Sequence, residues 1–327
     1  MRSTRGLVRV LAVTVVLAAA VAACSSKGGA QNQPQAGASP TAKHYTIAMV
    51  THEVPGDTFW DKVRNGAQEA AKQLNIDLKY SSSPDQGQEA TLVKNAVDSK
   101  VDGIAVTLAY PDAVGPAAQA ATQAGIPVVA FNAGLDDYKK HGIGMYFGSD
   151  EDLAGQAVGT RITQAGGGKT VCIIQEQGHV ALETRCAGVK KTDPTSEVLY
   201  VNSQDLPSVQ QTIGAKLQQD PSIKWVVTLG APIAMAALQA KQGAGSQAKI
   251  ATFDLNTDVV KAIQNGQIEF SVDQQPYVEG YMAVTSLWLN LTNGNDIGGG
   301  KPVLTGPSYV DKSNIDKIAG YAQNNTR

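Results

Sequence analysis

A few stretches of the 327-residue chain look like places where chemistry could happen. Gly166-Gly167-Gly168-Lys169-Thr170 ends like a phosphate-binding loop. It precedes an apolar β-branched run, however, whereas such a loop follows a strand and opens a helix, and the glycine the motif requires is Thr163. His52-Glu53 begins like a zinc-protease helix, but no second histidine follows at helical spacing and Pro55 blocks the helix. No serine sits in G-x-S-x-G, and no G-x-G-x-x-G follows the first strand candidate. Four histidines and three cysteines, widely spread, leave little from which to build a metal site. No metal and no cofactor is expected. Cys172 and Cys186 remain: in an exported protein they form either a disulfide between a strand and the next helix, or two separate buried thiols.

The elements that must position any site begin after an unusual start. Arg2, Arg5 and Arg9 precede an apolar run from Val10 to Ala23, too short to span a bilayer but suited to a signal peptide, residues 1–23. It ends in Ala22-Ala23-Cys24, which resembles a lipobox, so Cys24 is expected to carry lipid; simple Ala-x-Ala cleavage is the alternative. Residues 25–42 hold no large apolar side chain and, with Gly, Ser, Gln and Pro, make residues 24–43 a lipidated cysteine and flexible tether. The protein is therefore expected to be exported and anchored to a membrane on its outer face. A net charge of −2 leaves no basic surplus to neutralise phosphates, which argues against nucleic acid as a partner.

From Tyr45 onward, β-branched runs alternate with helical spacing. Strands are expected at 45–51, 76–81, 103–108 and 126–132, with helices over 59–75, 87–100 and 112–124. In the first helix Trp60, Val63, Ala67 and Leu74 share a face. The strand starts are separated as in βαβ units. The pattern then repeats, with strands at 169–174, 198–202, 224–229, 249–254 and 268–273 and a long helix over 276–293. The fold class is α/β: two similar, doubly wound parallel-sheet lobes with a ligand cleft outside the carboxyl ends of the strands.

Asp57-Thr58-Phe59-Trp60 leads into Asn65-Gly66-Ala67-Gln68, and Val101-Asp102-Gly103-Ile104, Gly125-Ile126-Pro127-Val128-Val129, Gly148-Ser149-Asp150 and Phe253-Asp254 follow in order. Together these resemble the substrate-binding lipoproteins of sugar ABC transporters, in the ribose-binding-protein-like group with the type I periplasmic fold. The resemblance covers residues 45–312. It implies three crossovers between an N-terminal lobe of 44–149 plus 275–303 and a C-terminal lobe of 150–274 plus 304–327. It also implies a ligand site of Asp57, Phe59 and Trp60 after the first strand, Arg185, Asp254 and Gln274. Aromatic faces suit the apolar C–H groups of a sugar, while carboxylate and guanidinium groups suit its hydroxyls. Core packing is the other reading of Trp60, and Phe59 and Trp60 point about 100° apart. Where the ribose-like pattern has Asp-Arg, this chain has Asn132-Ala133, and Gly230 replaces a family asparagine. His52, Glu53 and His179 lie beside strand ends without a motif match, as ligand groups or as rim residues; Tyr110, Asp150 and Asp273 are rim or hinge candidates.

The function these features imply is capture of a small sugar or polyol by a monomer that catalyses nothing and delivers its cargo to ABC permease subunits. A receptor passing a sugar or furanone-like signal to a membrane sensor is the alternative. A sugar-cleaving enzyme would need a carboxylate pair such as Asp57 and Asp254 around one bond. Repressors with the same core lack the export signal. Pentose, furanose, tetritol, pentitol and larger sugars all remain open.

Overall fold

The computed structural model describes residues 43–327, so the expectations for the signal peptide, Cys24 and residues 25–42 lie outside the described residues. The first sheet takes five strands from the first half of the chain: β1 (Tyr45–Thr51), β2 (Ile76–Ser82), β3 (Gly103–Thr107), β4 (Val128–Phe131) and β5 (Met145–Ser149). The second takes β6 (Lys169–Ile174), β7 (Glu197–Tyr200), β8 (Ile223–Thr228), β9 (Lys249–Phe253) and β10 (Phe270–Asp273). Two late strands, β11 (Val303–Gly306) and β12 (Ser308–Asp311), are divided between them. The strand orders are β11-β5-β4-β3-β1-β2 and β12-β10-β9-β8-β6-β7. Every pairing is parallel except β10 with β12.

The central strands read as unbroken apolar runs because both of their faces are covered. Ile47, Met49, Ala105, Val129 and Phe131 join one core, with Trp60 and Val63. Their neighbours in sequence, Ala48, Val50, Ile104, Val106 and Ala130, join another on the opposite face. That split is the two-residue period of a strand expressed twice over. The second sheet repeats the arrangement.

The chain crosses between sheets after Ser149, at Gln274–Gln275, and after Gly306. The last crossing follows β11, later than the boundary of 303 implied by the resemblance. β5, β11 and β12 are absent from the sequence expectations because each is four or five residues long and set among glycines or prolines, with no run to read. The three crossings run side by side: a Cβ on Gly306 would lie 2.6 Å from Ser149 Oγ and 3.0 Å from the Asp273 carbonyl oxygen. Only glycine lets these backbones pass so closely.

A second close approach aims a functional side chain. The helices Glu151–Gln164 and Val180–Thr192 pack through Gly155 and Gly188, and a Cβ on Gly155 would fall 2.1 Å from the Arg185 carbonyl oxygen. That contact sets Arg185 against Glu151, the first residue of the facing helix. Cys172 in β6 and Cys186 in the same helix as Arg185 form a disulfide, with their Cα atoms 5.8 Å apart. Labelling of the denatured, unreduced chain from Ser25 onward should therefore find no free thiol. Replacing both cysteines by alanine should cost about 3 kcal/mol of stability in urea titration on the chain-entropy argument; two reactive thiols would remove the bridge.

Candidate ligand cleft

Strand ends from both sheets open onto one small, tightly closed cavity of about 30 Å³. The lobe of the first sheet contributes His52, Asp57, Phe59, Trp60 and Asn132. The lobe of the second contributes Gln175, Glu176, His179, Leu182, Arg185, Leu229 and Asp254, and Gln274 comes from the second crossing. Each ligand residue implied by the resemblance thus reaches the same cavity, as do His52 and His179. Glu53 does not: its carboxylate is held by Arg64 and by the Tyr80 hydroxyl, the latter at 2.6 Å. Glu53 follows His52 directly, so the chain turns it away from the cleft.

Two of these side chains are aimed by the same backbone device. Asn132 follows β4 and Asp254 follows β9, and they have φ of 65° and 66°. Asn and Asp tolerate this left-handed conformation better than other side chains. Each strand end is tied down equivalently: the Asn132 carbonyl accepts from the Tyr146 hydroxyl at 2.9 Å, and the Asp254 carbonyl from the Ser271 hydroxyl at 2.6 Å. Asn132 Nδ2 donates to the buried Glu279 at 3.3 Å, which leaves little of the donor for a ligand.

Arg185 is 3% exposed and committed to protein partners. Its Nε donates to Glu151 Oε2 at 2.5 Å and its Nη2 to Oε1 at 2.9 Å, the two-point fit of a guanidinium to a carboxylate. Nη2 also reaches Gln274 Oε1 at 2.5 Å, and the guanidinium lies 4.7 Å over the Phe253 ring. Gln274 then donates through Nε2 to Asp254 Oδ1 at 2.6 Å. Arg185 is thus the keystone of a Glu151–Arg185–Gln274–Asp254 chain, and Nη1, 3.4 Å from the Leu229 carbonyl, is its least committed nitrogen.

The acceptors are less fully used. Asp57 Oδ1 takes the Phe59 N–H at 3.0 Å and Asp254 Oδ1 takes Gln274; among the described residues no protein donor reaches their other oxygens or the Glu176 carboxylate. Gln175 Oε1 is buried with no partner. Burial pushes Asp254 up to about 7, although Arg185 pulls it down. Burial, then the charge of Asp57, pushes Glu176 up to about 8. Asp57 is raised by burial against the pull of the Phe59 N–H and the buried Lys62. These are groups that gain from hydroxyl donors. Against them stand Phe59 and Trp60, with ring centroids 5.1 Å apart, and both also belong to the apolar core. Core packing and a cavity-lining position hold together for both rings.

Gln175 and Glu176 were not expected from the sequence, yet they sit just past the end of β6 as His52 sits past β1. The rule that ligands bind outside strand carboxyl ends would have found them. Among the described residues, His52, Glu176 and His179 bring three metal-type ligand atoms within 4.8 Å of one another. His179 Nδ1, however, accepts the Ala181 N–H at 3.2 Å, so the proton of the neutral ring sits on Nε2 and that nitrogen has no lone pair for a metal.

Two lobes with a shared polar cleft define a solute-binding protein, and the chain belongs to the periplasmic binding protein domain family, whose profile matches residues 47–296. It lies in the ribose-binding-like, type I branch, a group of solute receptors rather than enzymes. A solved carbohydrate transporter structure from Acidothermus cellulolyticus 11B, in complex with myo-inositol, is 58% identical, covering 87% of this chain and 100% of its own, with a TM-score of 0.86. The xylose/arabinose-binding protein of Sulfolobus acidocaldarius is 25% identical, covering 89% of this chain and 77% of its own. The ribose import binding protein of Salmonella typhimurium is 28% identical, covering 71% and 79%.

Asp254 and Arg185 should respond differently to truncation. Asp254→Ala removes an acceptor and should weaken ligand binding 30-fold or more, in line with the roughly 2–5 kcal/mol of a buried charged contact, with the fold intact. Arg185→Ala should abolish binding and also lower stability by about 3–5 kcal/mol, because it leaves Glu151 buried without its partner. Calorimetry and thermal unfolding of the two variants check this; a stable Arg185→Ala protein with near-normal affinity would remove Arg185 from its role.

Proposed function

We propose that this protein captures a cyclic polyol of the inositol class outside the membrane and hands it to an ABC permease. The observation that carries this reading is the inventory of unspent acceptors. Asp57, Glu176, Asp254 and Gln175 Oε1 converge on a small cavity beside two aromatic rings. A ring bearing a hydroxyl on every carbon has donors facing outward all round its edge and C–H groups to set against Phe59 and Trp60. The 58% identical relative solved with myo-inositol supports the same class. A pentose is the second reading, supported by the xylose/arabinose-binding relative.

Calorimetry on the protein from His44 onward, which forms a unit of its own, separates the two. Myo-inositol should bind at pH 7.5, with Trp60 and its neighbours changing the tryptophan fluorescence. D-ribose, D-xylose and D-arabinose should bind at least tenfold more weakly, about 1.4 kcal/mol. Preference for a pentose would overturn the cyclitol assignment and leave the solute-binding class standing.

Delivery at a membrane follows from the start of the sequence. We assign residues 1–23 as a signal peptide and Cys24 as the lipidated first residue of the mature chain, which acts as a monomer. Acyl chains contribute about 0.8 kcal/mol per buried CH₂, enough to hold a protein on a membrane when two or more are attached. Cys24→Ala should move the protein from the membrane fraction to the soluble fraction, or stall its processing; an unchanged distribution counts against lipidation.

A further inference from the structure

His52 and His179 meet across the cleft, one from just past β1, the other capping the helix Val180–Thr192. Their Nε2 atoms are 2.9 Å apart and their rings nearly perpendicular, at 81°. Both are buried, with 4% exposure each. Two nitrogens at that distance share one proton, and the far ends of the rings decide whose it is. His179 Nδ1 accepts from the Ala181 N–H, so His179 carries its proton on Nε2 and donates it to His52 Nε2. His52 must then be protonated on Nδ1, where it donates to Thr107 Oγ1 at 2.8 Å. The Thr107 hydroxyl in turn donates to Glu89 Oε1 at 2.7 Å. Four hydrogen bonds thus run one way, from the backbone of one lobe to a buried carboxyl of the other.

The surroundings make this a joint between lobes. The Val180 N–H donates to the Ala109 carbonyl at 3.0 Å, and Ala109, Ala133 and Ala181 form a small apolar contact beside it. The first two alanines belong to the first lobe and Ala181 to the second. We propose that His52 and His179 are positioning residues for ligand capture: an uncharged latch that sets the two lobes around the ligand and releases in acid. This rests on the cleft being the capture site. A second proton on His179 Nδ1 would point at the Ala181 N–H, and one on His52 Nε2 would point at the His179 N–H. Either one breaks the chain.

The groups facing the pair agree in sign, with one opposing set. Arg185 repels a charged ring at either position, Trp60 and Tyr110 offer aromatic edges, and Glu89, pushed up to about 8 by burial, is mostly uncharged at pH 7. Burial first, then Arg185, holds His52 at about 3; burial, then His52 and Arg185, holds His179 well below the imidazole range. Once the lobes part, both rings return towards about 6.5. The latched form therefore binds fewer protons than the parted form below that pH, and closure weakens as pH falls, up to tenfold per unit for each ring. Asp57, Asp254 and Glu176 are raised and act in the opposite direction, so the latch is read against variants that keep them.

The test compares wild type, His52→Gln and His179→Asn by myo-inositol calorimetry at pH 7.5 and 5.5. Glutamine at 52 can still accept from His179 but cannot be protonated. Asparagine at 179 keeps an acceptor for the Ala181 N–H and loses the donor across the cleft. Each buried ring contributes a factor of about 10 over this range, so the wild-type affinity should fall by an extra factor of about 10 relative to either single variant, which keeps one ring. His179→Asn should bind several-fold more weakly at pH 7.5 with an unchanged Tm. Parallel pH profiles for all three proteins overturn the latch, as does micromolar Zn²⁺ binding by wild type that both variants lose. Should myo-inositol not bind at pH 7.5, the assigned ligand fails but the latch is still tested by small-angle scattering and imidazole nitrogen NMR of the protein alone. The lobes should part and both rings gain protons together on acidification, in wild type and not in His179→Asn; independent titration of the rings near 6.5 with no change of shape overturns it.

Discussion

The cleft depends on one buried ion pair. Arg185 and Glu151 lie at facing helix positions, brought together where Gly155 and Gly188 let two backbones nearly touch. An unpaired guanidinium at that depth would be costly, and so would an unpaired carboxylate. Paired at two points, the guanidinium keeps donors for Gln274, which in turn fixes Asp254. A residue of the second crossing is thereby locked to a ligand-facing carboxylate, so the hinge and the site share one hydrogen-bond chain. Any motion of the lobes about that crossing is felt at Asp254.

The second consequence concerns charge. Arg185 spends its donors on Glu151 and Gln274, which leaves acceptor oxygens of Asp57 and Asp254 free of protein donors among the described residues, and Lys62 is buried with its Nζ donating to the Thr58 carbonyl at 3.0 Å. A cleft of this kind favours ligands that donate hydrogen bonds. It also explains why the histidines meet as neutral rings: next to Arg185 and away from water, imidazolium is disfavoured twice. The polar groups divide into those that build the walls, those that face a ligand, and the pair that joins one wall to the other.

Much of this was legible from residue types. The βαβ spacing, the apolar runs of the central strands and the ordered motifs pointed to two parallel-sheet lobes, and Asp57, Phe59, Trp60, Asn132, Arg185, Asp254 and Gln274 all line the cavity. What was missed has a physical reason in each case. β5, β11 and β12 are short and take their stability from neighbours rather than from their own sequence. Glu176 and Gln175 lie on a turn that no local pattern marks. Glu53 was a candidate beside His52 because position along the chain does not reveal which way a side chain turns.

The sequence by itself determined what is local: where strands and helices form, which positions accept a left-handed backbone, and which polar residues stand at strand ends. Periodicity, turn chemistry and side-chain type act over a few residues, and the chain states them directly. Only the tertiary structure decided how those polar groups are used. Arg185 and Glu151 are 34 positions apart, and His52 and His179 are 127. Whether Arg185 meets a ligand or a carboxylate, and whether two histidines are rim residues or partners, depends on which groups the folded lobes bring within 3 Å. Hydrogen bonds and ion pairs act over distances that the linear order of residues does not encode.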